Sequence, residues 1–147
     1  MHRRSLLAAP ALLGLASRRA LAQAPVRGGV LTSVIAPEPT LLTTALSTAL
    51  AVTVVAPKMF DGLFVYDWDF RPQPGLATSL ELAADGLSAR IALRSGVKWH
   101  DGKPFTSADV QFTAMEVWRK LHPRSGVTWA ALEAVETPDA ATAVFRL

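Results

Sequence analysis

The sequence contains no cysteine. No disulfide can brace the fold, so in an oxidising compartment stability has to come from packing alone. There is also no thiol nucleophile, and no cysteine to carry a lipid anchor. Histidine is scarce: His2, His100 and His122 make up the whole supply, and no two stand at the H-x-x-x-H spacing that places two imidazoles on one helix face. No serine occupies a G-x-S-x-G elbow. Acidic residues are absent from the first 24 positions, although the chain has twelve. Beyond those positions no apolar run reaches the ~20 residues that cross a bilayer. These gaps weaken thiol hydrolases, dedicated zinc sites and membrane spans before any motif is considered.

What remains is a 147-residue chain that is 50% hydrophobic, long enough for one domain with a real core and too apolar for a disordered class. A net charge of +3 suggests a nucleic-acid partner. The distribution of charge removes that suggestion. Residues 1–24, MHRRSLLAAPALLGLASRRALAQA, have a basic start at Arg3 and Arg4, an apolar run from Leu6 to Ala16, and a small-x-small site at Ala22-Gln23-Ala24. This is the layout of a cleaved export signal. Arg3-Arg4-Ser5-Leu6-Leu7 also resembles the twin-arginine export motif; an ordinary secretory signal that begins with two arginines is the alternative. Four of the fifteen basic residues lie in this signal, leaving eleven against twelve acidic residues and a net charge of −1 for the mature segment, residues 25–147.

Along that segment, the β-branched Val30–Ile35 predicts a strand. Leu42, Leu46, Ala49, Leu50, Thr53 and Val54 recur at helical spacing and predict a helix within Leu41–Phe60, broken near Pro57. Leu63–Tyr66 predicts a short strand, followed by a turn over Trp68–Pro74. Leu76–Leu82 and Leu87–Leu93 predict a hairpin turning at Asp85-Gly86. Its second arm alternates Leu87, Ala89, Ile91, Leu93 with Ser88, Arg90, Ala92, Arg94, as a sheet with one buried face requires. A helix is predicted from about Ser107 to Lys120, and a last hairpin with arms Leu132–Thr137 and Ala143–Leu147 turning at Pro138-Asp139. The chain ends inside an apparent strand, so it is read as the N-terminal part of a longer protein.

The stretch LRSGVKWHDGKPFTSADV, residues 93–110, poses the functional question. His100 beside Asp101 suggests acid–base chemistry. Yet neighbours on extended backbone point to opposite sides, so neither orients the other. The conformational reading uses more of the residues. Asp101-Gly102 is a turn dipeptide, Pro104 stiffens the exit, and Thr106 with Asp109 three residues later forms a capping box. Val110, Ala114, Val117, Trp118 and Leu121 then make an inward stripe, and Trp99 is expected to bury its ring in the same core.

LRSGVKWHDGKPFTSADVQFT resembles the signature segment of the family 5 extracellular solute-binding proteins, the dipeptide, oligopeptide and nickel receptors of ABC importers. Gly28-Gly29-Val30-Leu31, Glu38-Pro39-Thr40-Leu41, Phe60-Asp61-Gly62-Leu63, Pro74-Gly75-Leu76-Ala77 and Glu136-Thr137-Pro138-Asp139 resemble further family segments in the same order. The departures are Leu42-Thr43-Thr44 in place of an Asp-Pro, Leu80-Glu81-Leu82 in place of a Trp-Glu, and Pro57 within a helix. Family members are also several times longer.

The resemblance implies an α/β chain forming part of lobe one of a two-lobed periplasmic binding protein fold of class II type, truncated. It implies no catalysis, cofactor or metal. The expected protein is a soluble, monomeric periplasmic receptor that binds a peptide or similar small polar solute and passes it to an ABC permease in the cytoplasmic membrane. Lobe closure over the ligand would be a population shift. By order along the chain, the ligand-touching loop of the peptide-binding relatives falls on Ser47, Thr48, Ala49 and Leu50. Competing readings are an exported hydrolase, detectable by turnover of ester, amide or glycoside substrates that His100→Ala abolishes, and a fragment without function.

Overall fold

The computed structural model describes residues 28–147. The chain divides into two units, Met1–Ser33 and Val34–Leu147. The export signal proposed for residues 1–24 lies outside the described residues. In the first unit, residues 28–33 are exposed and without secondary structure. The strand expected over Val30–Ile35 is therefore not formed. β-branched residues favour extended backbone, but a strand exists only when another strand closes its hydrogen bonds, and none of the described strands does so here.

The second unit is built on a four-stranded antiparallel sheet of β3 (Ala77–Leu82), β4 (Ser88–Leu93), β5 (Ala134–Asp139) and β6 (Thr142–Arg146), in the order β3-β4-β6-β5. A separate ribbon pairs β1 (Phe64–Tyr66) with β2 (Pro72–Pro74). The hairpin arms fall where the two-residue alternation puts them. Ile91 and Leu93 are buried, Ala92 between them is half-buried, and Arg90 before them is exposed. The last hairpin forms too, but its turn sits at Ala140-Ala141 and not at Pro138-Asp139. Pro138 is accommodated within β5, where the register shifts between Glu136 and Asp139. Proline is tolerated on an edge strand at such an irregularity because no ladder donor is needed there.

The helix expected over Leu41–Phe60 is reduced to α1 (Leu50–Val55) and a 3-10 turn at Ala56–Lys58 that contains Pro57. Upstream, the Thr43 hydroxyl accepts from the Ala45 amide and the Ser47 hydroxyl from the Ala49 amide, each at 3.2 Å. Such local side-chain acceptors compete with helical backbone bonds, which explains why apolar spacing alone overcalled the helix. The second main helix, α2 (Ser107–Phe112), runs into a π-helical segment, Thr113–Trp118, and a four-residue α3 (Ser125–Thr128) follows.

The core lies between one face of the sheet and α2. It comprises Ala77, Ile91, Leu93, Val110, Ala114, Leu132, Val135, Ala143 and Phe145. The inward stripe holds at Val110, Ala114 and Trp118 and is lost at Leu121. In the π-helical segment the Arg119 amide bonds to the Ala114 carbonyl, five residues back. Met115 and Trp118 pack on the core, and beyond this wider turn Leu121 is 61% exposed. Trp118 stacks on Trp129 with ring centres 4.6 Å apart.

Candidate functional site

The signature segment folds into a closed loop between β4 and α2. The Trp99 amide donates to the Lys103 carbonyl at 2.8 Å, the Gly102 amide to Trp99 at 2.9 Å, and the Phe105 amide to Val97 at 3.0 Å. Gly102 sits at φ +86°, a left-handed conformation that a Cβ would strain. Asp101 serves the turn from within: its Oδ1 accepts from the Lys103 amide at 3.0 Å, and its Oδ2 pairs with Lys103 Nζ at 2.8 Å. The Lys103 ammonium, then the Lys103 amide, hold the Asp101 carboxyl below the ordinary range. His100 is exposed and makes no hydrogen bond among the described residues. The side chains of His100 and Asp101 thus do not form an acid–base pair.

Downstream of the loop, the Asp109 carboxylate accepts from the Thr106 amide at 2.8 Å, the half of the capping box that engages the N-cap backbone. Buried Ser107 ties the helix start to the last hairpin. Its amide donates to Ala140 at 2.9 Å and its hydroxyl to the Asp139 carbonyl. The Trp99 ring is not in the core. It is 44% exposed and meets Phe105 edge-on with centroids 5.9 Å apart. Phe105 packs against the core instead, because the turn of Trp99–Gly102 carries the indole outward. Trp99, His100, Asp101, Lys103, Pro104 and Asp109 line a shallow, open depression of about 260 Å³.

Two other segments of the sequence reading come together. Gly75 and Leu76 donate to the carbonyls of Leu63 and Gly62, each at 3.0 Å. A Cβ on Gly75 would lie 2.5 Å from the Gly62 carbonyl oxygen, so only glycine allows this approach. The β1–β2 turn is organised by Asp67, a residue that sequence reasoning did not single out. Its Oδ1 accepts from the Asp69 and Arg71 amides at 2.9 Å and its Oδ2 from Gln73 Nε2 at 2.8 Å. The Arg71 amide is the main cause of its lowered pKa. The two prolines of β2 concealed that strand, whereas Asp two residues before the next amide is a recognisable turn signal.

Ser47, Thr48 and Ala49 precede α1 without secondary structure, Ala49 being extended, and Leu50 is the first helical residue. Ser47 is half-buried; the other three are exposed. The Ala49 carbonyl accepts from Thr53 at 3.0 Å, while the Ser47 and Thr48 main-chain amides and carbonyls are unpaired among the described residues. Among the described residues no hydrogen bond links Ser47–Leu50 to the signature turn.

With a four-stranded antiparallel sheet packed against a capped helix, the architecture fits part of an α/β binding-protein lobe. The model of the bacterial extracellular solute-binding proteins, family 5 Middle, matches residues 71–147. The oligopeptide-binding protein AppA of Bacillus subtilis is 31% identical over 124 residues, covering 84% of this chain and 23% of AppA. The structure of AppA in complex with a nonapeptide superposes with a TM-score of 0.66 and 28% identity, over 75% of this chain and 22% of that one. NikZ of Campylobacter jejuni in complex with Ni(L-His) gives 0.57 and 30% identity, over 63% and 19%. The chain belongs to the bacterial extracellular solute-binding proteins, family 5. It spans less than a quarter of the length of these relatives.

Proposed function

We propose that the chain is the N-terminal part, residues 25–147 after removal of an export signal over 1–24, of a periplasmic receptor for an ABC importer. The receptor binds a peptide or a similar small polar solute and delivers it to a membrane permease. The observation that carries this reading is the signature segment. Its turn, cap and helix use Asp101, Thr106, Ser107 and Asp109 to shape the backbone, and His100 makes no hydrogen bond among the described residues. Similarity to oligopeptide-binding AppA over 84% of the chain supports a peptide as ligand.

Ser47–Leu50 is the proposed ligand-touching stretch. Its support is the unpaired main-chain groups of Ser47 and Thr48, which suit recognition of a peptide backbone as an added strand. Disruption of the gene in its host, followed by uptake of labelled oligopeptides, tests the reading. Loss of uptake of at least one peptide class is expected; unchanged uptake of every class contradicts it.

A further inference from the structure

The first 24 residues hold more positive charge than a secretory signal uses. Arg3-Arg4 stand directly before Ser5-Leu6-Leu7 and the apolar run that follows. A basic start is common to export signals, but an adjacent arginine pair set against that run is the twin-arginine pattern. Two further features disfavour the general secretory route. The run Leu6–Ala16 has five leucines, and its other six residues are alanine, glycine or proline, so its affinity for a bilayer core is low. A second pair, Arg18-Arg19, stands between the run and Ala22-Gln23-Ala24. Two arginines on each side of the run cancel the charge bias that orients a secretory signal, and the trailing pair has to be driven outward against the membrane potential. The described fold, for its part, can form before export. The sheet and α2 close over Ile91, Leu93, Val110, Leu132 and Phe145, and no disulfide delays them, since the chain has no cysteine.

We infer that the protein leaves the cytoplasm already folded, through a translocase that recognises Arg3-Arg4 as a pair. A guanidinium is a planar fork that bonds a carboxylate through two N–H groups, which an ammonium cannot do. The partner surface that fits two adjacent guanidinium groups therefore presents carboxylates, and it discriminates arginine from lysine at equal charge. The second pair, Arg18-Arg19, has a separate role: it keeps the chain from the route that threads unfolded polypeptide. This inference rests on the export signal of the receptor reading and adds the route and the state in which the chain is carried.

Immunoblots of cytoplasmic and periplasmic fractions from the host, with the protein expressed from its own gene, test the route. Arg3→Lys/Arg4→Lys lies in the segment removed on export, so the mature protein is unaltered and cannot misfold on that account. The variant keeps the charge and loses the fork. Periplasmic protein is expected to fall about tenfold or more, with uncleaved precursor accumulating in the cytoplasm. Adding Arg18→Gln/Arg19→Gln to that variant is expected to restore export by the secretory route. Export of the lysine variant at the native level would overturn the inference and leave the receptor reading standing; confinement of the native protein to the cytoplasm would overturn both. Without recovery on removing Arg18-Arg19, the role given to the second pair fails.

Discussion

The Asp109 carboxylate lies 2.8 Å from the Thr106 amide and thereby fixes where the signature helix begins. Loss of that acceptor leaves the N-cap amide without its partner, a cost of about 1 kcal/mol. Asp109→Ala should therefore lower the thermal midpoint by a few degrees, read by circular dichroism at 222 nm, a wavelength that reports helix. Asp109→Asn, which keeps an oxygen acceptor, should recover most of the loss.

Glycine substitutions separate strain from collision. Gly102→Ala meets open space, so its cost is that of a left-handed residue, about 1 kcal/mol. Gly75→Ala drives a Cβ to 2.5 Å from a backbone oxygen that cannot rotate away, and should cost more than Gly102→Ala. Gly126→Ala has neither problem and should be neutral or slightly stabilising. Urea denaturation of the three variants gives the order directly.

Leu132 is 2% exposed in the core beneath the sheet. Leu132→Ala should destabilise by about 2–4 kcal/mol, through lost burial and a residual cavity. A change below about 1 kcal/mol in the denaturation midpoint would mean that the core is not packed as described.

Acid should weaken the fold through its paired carboxylates. The Arg146 guanidinium lowers the pKa of Glu136, and the Arg71 amide that of Asp67. A carboxyl with a lowered folded-state pKa stabilises the fold above its unfolded value, and the contribution fades as pH falls through the folded value. From ordinary values of 4.5 and 3.8, stability should hold at neutral pH and decline below about pH 4.5. Denaturation midpoints between pH 7 and pH 3 should fall less steeply in Glu136→Gln, which has less to lose.

The strongest local signals in the sequence became structure. The two-residue alternation of Leu87–Arg94 and the Thr106–Asp109 cap depend on neighbours a few residues away, and both form. Features decided by distant partners were not legible. Val30–Ile35 has the composition of a strand but no ladder. Thr43 and Ser47 divert their own backbone from the helix that the leucine spacing suggests. Leu121 is exposed beyond a π-helical turn, which no periodicity count anticipates. For the candidate site, the conformational role of Asp101-Gly102 was readable from turn chemistry. The outward face of Trp99 was not, because it depends on Phe105 filling the core position first.

The central claim is that the tryptophan–histidine–aspartate turn gives the polypeptide its shape and takes part in no reaction. Paired strains carrying the native gene or His100→Ala, assayed for peptide uptake and for hydrolysis of ester, amide and glycoside substrates, test it most directly. The account predicts equal uptake and no turnover attributable to the chain in either strain. Substrate turnover by the native protein that disappears in a folded His100→Ala variant would contradict it.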